Sequence, residues 1–335
     1  MCESVKSIQF VFHTLTMDSL YKQLKQFGRV KINASLAKFS NFHIGGPADF
    51  FVDVSETEKL ISLLDYLSGE GIEYFILGGG SNVLFPDDGL RGAVIRLRTT
   101  DYGLQSNVIH VDSGVELSEF VRFSIENKLT GLEWAAGIPG TVGGAIRGNA
   151  RAHYAFTGGE VKDIVQTITA WQDGEVLELT KQECAFGYRD SIFKHGTAVI
   201  LGGKFELKPG DPRISLEMTQ KIIVERQSKQ DPRSSAGSFF KNLMLEAWPG
   251  DKKLLPERFL NYKKIAAGWL IEQVGLKGYQ VGGALVSPAH GNFIINTGAA
   301  TQADVLAVVE KVKSEVYNKF GIQLEEEVQI VNSVY

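Results

Sequence analysis

Residues 131–149 read GLEWAAGIPGTVGGAIRGN, and this stretch decides the fold. Almost every residue in it is small, apolar or glycine, but a membrane-spanning helix needs ~20 apolar residues without repeated breakers. Gly137, Pro139, Gly140, Gly143 and Gly144 break any helix or strand, so the pattern predicts an extended loop. In such a loop, backbone N–H groups approach a phosphate or a cofactor ring without obstruction by side chains.

A second glycine cluster, residues 78–82 (GGGSN), directly follows the apolar run 74–77, which reads as a buried strand. A single glycine turn after a strand is weak evidence for a nucleotide site, but two clusters in one domain favour one. Neither cluster has the glycine spacing of a dinucleotide-binding turn, because the sixth position counted from Gly78 is Val83. Neither is followed by the Lys-Ser or Lys-Thr pair of a P-loop, so the two loops indicate another kind of site.

Periodicity predicts the elements around these loops. Residues 48–54 read as a strand, Ser55 caps a helix with Leu60, Leu63, Leu64 and Leu67 on one stripe, and 74–77 form the next strand. We predict a second α/β part with a strand over 108–112, a helix over 117–127 and a hairpin of 164–171 and 176–179 around an Asp-Gly turn. Turn residues at 208–213 mark a hinge.

Beyond the hinge, we expect a helix over 216–227 and then a smaller α+β unit. Its last helix has Thr301 as N-cap, a valine stripe and Gly321 as its end. Residues 324–330 alternate as a strand does, with Leu324, Glu326, Val328 and Ile330 on one face and the residues between them on the other. Such a strand presents a carboxylate to a cleft.

The bulk composition is that of an enzyme with two or three cores. The chain has 335 residues, is 44% hydrophobic and carries a net charge of −4, which gives no electrostatic reason to expect nucleic acid or an anionic membrane as a partner. The two cysteines, Cys2 and Cys184, suggest neither a disulfide framework nor a metal site, and Cys184 is expected to be a packing residue.

The N-terminal segment lacks the features of an export signal, because residues 1–16 have no basic start, long apolar core or small-residue cleavage site. Met17 precedes a plausible polar helix over 18–26 and is an alternative start of translation. We therefore divide the chain into an N-terminal extension, 1–34, a cofactor-binding domain in two α/β parts, 35–210, and a C-terminal domain, 211–335.

Several segments carry a family resemblance, in the family's order, over residues 35–330. They are 76–97, 131–149, GYRDS at 187–191, SAGSFFKN at 235–242, GWLIEQ at 268–273, 278–298 and LEEEV at 324–328. The two glycine loops resemble the flavin-contacting loops of the vanillyl-alcohol-oxidase-type (PCMH-type) FAD-binding fold. The chain as a whole resembles the UDP-N-acetylenolpyruvoylglucosamine reductase (MurB) family.

The resemblance implies an α+β fold: a two-part PCMH-type FAD-binding domain followed by a smaller MurB C-terminal substrate domain. It implies a cytoplasmic, monomeric flavoenzyme of peptidoglycan synthesis with FAD as cofactor and NADPH as hydride donor. The family reduces the enolpyruvyl ether of UDP-N-acetylglucosamine enolpyruvate to UDP-N-acetylmuramate. No metal, nucleic acid or membrane partner is implied.

The same resemblance assigns catalytic roles to Arg189, Ser238 and Glu327. Arg189 stabilises the substrate carboxylate, Glu327 polarises it or handles protons near it, and Ser238 donates the proton, with Lys241 or an ordered water supporting the alkoxide. Spacing alone leaves a surface arginine paired with Asp190, a solvated glutamate and a turn serine as the alternatives. The implied substrate contacts are Tyr188, Lys241, Asn242 and Gln273.

The resemblance also implies the FAD contacts, which are Gly78, Gly79, Gly80, Ser81, Asn82, Val83, Gly137, Ile138, Pro139, Gly140, Thr141, Gly143, Gly144, Ala145 and Asn149. Related oxidases that bind flavin covalently often carry a histidine in the first loop. Ser81 in that loop therefore predicts noncovalent FAD. His43 is read as a turn residue rather than a ligand.

One region departs from the family pattern. Residues 151–159 (RAHYAFTGG) are lengthened, and Arg151 stands where a glycine is expected, which either reshapes access to the flavin edge or is a surface insertion. A long substrate-capping insertion near 188–194 is absent, as in the shorter, second subgroup. An oxidase on the same fold and a noncatalytic nucleotide-binding module are the alternative functions.

Overall fold

The computed structural model describes residues 16–332. The first part of the chain is a four-stranded sheet covered by two helices. Its elements are α1 (Met17–Leu24), β1 (Arg29–Ser35), β2 (Pro47–Val54), α2 (Thr57–Gly69), β3 (Tyr74–Leu77), β4 (Val83–Leu84) and β5 (Leu90–Leu97). The sheet order is β1-β2-β5-β3, with β1 antiparallel to β2 and the other neighbours parallel. The first glycine loop lies between β3 and β4, where the parallel strands end.

The predicted β-α-β unit is confirmed with one correction. The leucine stripe of α2, Leu60 to Leu67, is fully buried against the sheet. The helix begins at Thr57 with Glu56 as its N-cap, so Ser55 does not cap it. The polar helix predicted over 18–26 is α1, which ends at Leu24; Thr16 caps it, and residues 1–15 of the expected leader lie outside the described residues.

The expected N-terminal extension contributes to this first sheet. β1 pairs along its length with β2, and Leu20 and Leu24 of α1 are buried in the same core as α2. The strand β1 was not predicted, although Val30, Ile32 and Ala34 alternate with polar residues as in a strand. The domain limits at 34/35 and 210/211 stay a prediction.

The second part is a five-stranded antiparallel sheet of order β12-β11-β13-β7-β6. Its elements are β6 (Tyr102–Gln105), β7 (Val108–Asp112), α3 (Leu117–Glu126), β8 (Leu129–Thr130), α4 (Val142–Arg147), β9 (Arg151–His153), β10 (Gly158–Glu160), α5 (Val161–Ile164), β11 (Val165–Gln172), β12 (Glu175–Thr180) and β13 (Val199–Glu206). The strand at 108–112, the helix α3 and the hairpin β11–β12 are confirmed. Asp173 and Gly174 have positive φ, as the hairpin turn requires.

The prediction that 131–149 is an extended loop throughout is wrong for α4. Thr141 caps this helix through its side chain, which accepts from the Gly144 N–H. The glycine penalty is offset by close packing, because a Cβ on Gly143 would lie 2.8 Å from the Ser113 Cβ.

A long helix joins the second part to the rest of the chain. β14 (Lys208–Pro209) pairs with β8, and α6 (Pro212–Lys229) starts within the predicted hinge, four residues before the predicted helix. α6 packs on the second part through Ser215, whose hydroxyl donates to the Glu133 carboxylate at 2.5 Å. Burial raises the pKa of Glu133, but hydrogen bonds from Ser215, Thr130 and the backbone outweigh it and hold the pKa below its usual value.

We expect Ser215→Ala to lower the free energy of unfolding by about 2 kcal/mol, because a buried carboxylate loses a charge-assisted hydrogen bond. Ser228→Ala on the same helix is the matched control, since Ser228 is exposed and donates only to a backbone carbonyl. Urea unfolding measures both. Because the pKa of Glu133 is depressed in the folded state, the stabilisation that its carboxylate contributes is lost as the pH falls through that pKa. The difference in free energy of unfolding between wild type and Ser215→Ala therefore becomes smaller in acid. Equal effects of the two substitutions would contradict this assignment.

The C-terminal part is a small α+β unit. Its elements are β15 (Ser235–Ser238), β16 (Leu243–Met244), α7 (Glu257–Tyr262), β17 (Lys264–Ile265), α8 (Ala267–Gln273), β18 (Gln280–Val281), β19 (Ala284–Val286), β20 (Phe293–Asn296), α9 (Gln302–Phe320) and β21 (Gln329–Ile330). The main sheet has the order β15-β20-β19-β18. α9 is confirmed, with a capping box at Thr301, a buried valine stripe and Gly321 in the left-handed region.

The strand predicted over 324–330 is mostly irregular. Only β21 forms a ladder, in parallel with β4 of the first part, and Glu326 makes an isolated bridge with Phe240. β4 is equally short, because the two segments pair over two residues only. This pairing nevertheless brings the C-terminal segment beside the first glycine loop.

Candidate active site

A cavity of about 300 Å³, the large cavity, lies where the three parts meet. It is lined by both glycine loops and by Arg189, Ser238 and Glu327, which come from three separate segments. Its volume falls at the lower end of the range of small-molecule sites. The structure therefore brings the three predicted catalytic side chains together with the predicted cofactor loops.

The glycines of the first loop are required by contact between the two loops. A Cβ on Gly79 would lie 2.7 Å from the Gly140 Cα, and one on Gly78 would lie 2.6 Å from the Thr141 hydroxyl. Gly80 has a positive φ and faces the Phe39 carbonyl. These three glycines therefore make room for another segment of the chain, while the expectation that their backbone also contacts a ligand stays a prediction.

The glycines of α4 and its C-terminal end are less crowded. Gly144 and Gly148 both line the large cavity, and the nearest atoms to a Cβ on them would be 3.8 Å and 3.6 Å away. A Cβ at either position would make only ordinary van der Waals contacts, so no other segment crowds this backbone and a flat ring can approach it. Of the predicted cofactor contacts, those lining the cavity are Gly78, Gly79, Gly80, Ser81, Asn82, Val83, Ile138, Pro139, Gly140, Thr141, Gly144 and Ala145.

Three predicted cofactor contacts are placed away from the lining. Gly137 lies against the Arg226 side chain, and Gly143 packs on Ser113. Asn149 is fully buried; its amide donates to Glu160 and to the Gly187 carbonyl, and its carbonyl accepts from the Lys162 N–H. Its polar groups are used in joining α4 to its neighbours.

A second cavity of about 200 Å³ lies behind the loop contact. Gly78, Gly79 and Thr141 line both cavities, so the two spaces share a wall. Lys38, Arg96 and Arg98 add positive charge to the second one, against the single carboxylate of Glu116. His43 also lines it and has a positive φ, with its ring nitrogen 2.9 Å from the Ser234 hydroxyl. The positive charge at the second cavity suits an anionic group.

Arg189 is held in an uncommon backbone conformation. Its φ is 56°, within a turn closed by the bridge between Gly187 and Asp190, and Lys194 Nζ donates to its carbonyl at 2.7 Å. Its Nε lies 3.0 Å from Glu327 Oε1, but the N–H direction misses the carboxylate, so this buried donor has no hydrogen-bond partner among residues 16–332. Such a donor is free to meet an acceptor that a ligand brings into the cavity.

Glu327 sits opposite Arg189 and is shielded from solvent. Burial raises the pKa of the Glu327 carboxyl, while Arg189, Lys194 and Lys241 act against the rise. The backbone carbonyl of Glu327 accepts from the Asn82 side chain, and its N–H donates to the Phe239 carbonyl. These bonds fix the carboxylate between the first glycine loop and the SAGSFF segment.

Ser238 is the last residue of β15 and lines the large cavity. It follows Gly237, whose φ is positive. Lys241, expected to support its alkoxide, lies outside the lining and pairs with Glu325 at 3.2 Å. Lys194 is the lysine whose side chain lines the cavity, and burial lowers its pKa. Lys194 was missed because nothing in its sequence surroundings shows which way it faces.

The predicted substrate contacts are spread more widely than the catalytic residues. Tyr188, Lys241, Asn242 and Gln273 all lie outside the cavity lining. Asn242 accepts from the Ala267 N–H at the start of α8, and Gln273 is exposed at the end of that helix. The lining instead includes polar residues not predicted as ligand contacts, namely Arg147, Arg151, Arg226, Gln230 and Gln329.

Two other observations bear on alternative chemistries. Cys184 is buried, and burial raises the pKa of its thiol to about 11, as expected of a packing residue. Within residues 16–332, no group of three or more histidine, cysteine, aspartate or glutamate side chains is arranged to hold a metal ion.

Comparison with known proteins agrees with this geometry. Residues 48–180 match the family of FAD binding domains, and residues 227–331 match the C-terminal domain of UDP-N-acetylenolpyruvoylglucosamine reductase. A reductase of that name from Caldanaerobacter subterraneus is 37% identical over 320 residues, which are 95% of this chain and 98% of the relative. The chain belongs to the UDP-N-acetylenolpyruvoylglucosamine reductase family.

Further relatives support the assignment. The reductase of Geobacter metallireducens is 38% identical over 94% of this chain and 98% of its own length. The crystal structure of the Thermus caldophilus reductase, MurB, covers 91% of this chain and 99% of its own with a TM-score of 0.72 and 31% identity. The predicted family, α+β fold, FAD-dependent oxidoreductase class and NADPH as reductant are confirmed. In the described part of the chain, every helix is too short or too polar to span a bilayer.

Proposed function

We propose that the large cavity is where this chain carries out the reaction of its family, the reduction of the enolpyruvyl ether of UDP-N-acetylglucosamine enolpyruvate in peptidoglycan synthesis. The observation that carries the proposal is the meeting of Arg189, Ser238 and Glu327 in one cavity with both glycine loops. Bound FAD supplies the chemistry that the side chains lack, by passing a hydride from NADPH to the substrate.

The first task of the chain's own residues is to hold the substrate carboxylate. Hydride addition to the terminal carbon places negative charge on the carbon next to that carboxylate. A guanidinium matches a carboxylate with parallel donors, and the Nε–H of Arg189, which makes no hydrogen bond within residues 16–332, supplies one donor inside the cavity. Such a preformed donor stabilises charge that develops during the reaction.

Glu327 acts on the same carboxylate from the other side. Because burial raises its pKa, Glu327 takes up a proton more readily than an exposed glutamate does. In the protonated form its O–H donates to the substrate carboxylate. Lys194 and Arg189 oppose this protonation, so the charge on Glu327 depends on what else occupies the cavity.

Ser238 then delivers the proton to the carbanion carbon. A serine hydroxyl is a weak acid, so the alkoxide that remains needs a nearby positive charge. Lys194 is a lining residue of the same cavity, and its ammonium group, which donates to the Arg189 carbonyl, supplies that charge. We also propose that the FAD is noncovalent, that the enzyme is cytoplasmic and that it acts as a monomer.

The purified protein, examined anaerobically, tests the proposed function. We expect a flavin absorption band that NADPH bleaches and that returns when UDP-N-acetylglucosamine enolpyruvate is added. Rapid return of the flavin band in air, with no response to the enolpyruvyl sugar, would indicate an oxidase on the same fold. A colourless protein that also fails to take up added FAD would contradict both the reductase and the oxidase function.

A further inference from the structure

The segment that departs from the family pattern forms a hairpin at the edge of the large cavity. β9 and β10 pair over three residues each, and Arg151 at the start of β9 lines the cavity. The Arg151 guanidinium carbon lies 5.2 Å from the centre of the Tyr188 ring. Arg151 therefore points to the cavity and not outward, as a surface insertion would.

A second cation reaches the same ring from the C-terminal part. Lys264, on β17, has its Nζ 3.6 Å from the centre of the Tyr188 ring. Tyr188 is half-buried and stands next to Arg189 in the GYRDS turn. Two positive side chains from different parts of the fold thus lie over one aromatic side chain at the cavity edge.

The local charges do not balance. Arg151 and Lys162 share Glu160, at 4.0 Å and 2.9 Å, and Arg189 lies beside Glu327. Lys264 forms no ion pair with a carboxylate of residues 16–332. In the described part of the chain, four cations therefore face two carboxylates around Tyr188. An aromatic face attracts an ammonium group only weakly in comparison with an anion.

Burial together with the excess positive charge lowers the pKa values of Lys264 and His153. Burial, followed by the charge of Arg151, lowers the pKa of Lys264 to about 8. Burial, Arg151 and Lys264 likewise lower the pKa of His153. A half-buried site with excess positive charge is stabilised by an anion that enters it.

We propose that Arg151 and Lys264, placed over the Tyr188 ring, bind the diphosphate group of the nucleotide that occupies the large cavity. Two cations on separate segments suit an anion with two phosphates, whereas the substrate carboxylate is held by Arg189 in the proposed function, on which this inference rests. The uridine nucleotide and the dinucleotide reductant both carry a diphosphate. In either case the bound anion joins the β9–β10 hairpin to the C-terminal part.

Binding of UDP and UMP to the FAD-loaded enzyme tests the inference, with Arg151→Met and Lys264→Met as variants. We expect each substitution to weaken UDP binding about tenfold and UMP binding less, so the preference for UDP over UMP shrinks. Lys252→Met, which removes an exposed lysine of the same C-terminal part, is the control and leaves both affinities unchanged. The flavin spectrum checks that each variant is folded.

The dissociation constant of NADPH, from the concentration dependence of anaerobic flavin bleaching, separates the two possible ligands. A smaller UDP preference assigns the site to the sugar nucleotide, and a tenfold weaker NADPH affinity with unchanged UDP preference assigns it to the reductant. Unchanged UDP preference and unchanged NADPH affinity in both variants overturn the inference. The proposed function then still stands if the variants bleach with NADPH and recover with the enolpyruvyl sugar.

A pH series gives an independent readout. Lys264 binds an anion in its charged form, so UDP affinity of the wild type is expected to fall as the pH rises past about 8, the pKa of Lys264. Lys264→Arg keeps its charge and should remove this dependence. The charges of the other groups change little in that range. Burial raises the pKa of Tyr188, so its hydroxyl stays neutral. The lowered pKa values keep Glu160 ionised and His153 neutral. Arg151, Arg189 and Lys162, which also face Lys264, are present in both proteins. Identical pH profiles for wild type and Lys264→Arg would count against the inference.

Discussion

Ser238→Ala is expected to leave flavin bleaching by NADPH close to the wild-type rate and to slow recovery with the enolpyruvyl sugar about a thousandfold. The two half-reactions differ because only the second needs a proton delivered to the substrate carbon. Ser238 lines the large cavity beside the glycine loops, and its hydroxyl is the proposed donor. Anaerobic stopped-flow absorbance measures the two rates separately.

Ser235→Ala is a matched control for this prediction. Ser235 lies on the same strand, its hydroxyl accepts from the Gly237 N–H, and it is outside the cavity lining. We expect it to change neither half-reaction more than a few fold. Ser238→Cys should restore part of the recovery rate, since a thiol is a stronger acid than a hydroxyl. Recovery of Ser238→Ala within threefold of the wild type would exclude Ser238 as the proton donor.

The parts of the fold that sequence predicted well have local causes. The leucine stripe of α2, the capping box and valine stripe of α9, and the Asp-Gly turn between β11 and β12 each determine their element from neighbouring residues. The parts predicted wrongly depend on distant contacts. α4 forms despite its glycines because Gly143 fits against Ser113, thirty residues earlier in the chain. β21 forms only where the C-terminal segment meets β4 of the first part.

The candidate site shows the same division. Motif resemblance identified Arg189, Ser238 and Glu327, which the structure places in one cavity. It could not show that Lys194 donates to the Arg189 carbonyl or that Lys264 reaches Tyr188 from another part of the fold. Nor could it show that Asn149 is used for internal hydrogen bonds. Such roles depend on which groups are already partnered, and that is known only once the chain is folded.

Arg189→Met is expected to lower kcat/KM for the enolpyruvyl sugar about a thousandfold. The substitution removes the donor to the substrate carboxylate and leaves the shielded Glu327 without its nearest positive neighbour. Steady-state rates at several pH values measure the loss. The exposed Arg122 on α3 provides the control, and Arg122→Met should leave kcat/KM unchanged.

The pH dependence of the Arg189 variant distinguishes a role at the substrate from a merely structural one. Burial raises the pKa of Glu327, and the Arg189 guanidinium lowers it, so removing the guanidinium leaves burial less opposed. The pKa of Glu327 therefore rises, and the carboxyl stays protonated to higher pH than in the wild type. An upward shift in the pH–rate profile of Arg189→Met is expected. Because the two residues act as a pair, Glu327→Gln should lower kcat/KM less in the Arg189→Met protein than in the wild type. A thousandfold loss with an unshifted profile and fully additive substitutions would mean that Arg189 acts without Glu327.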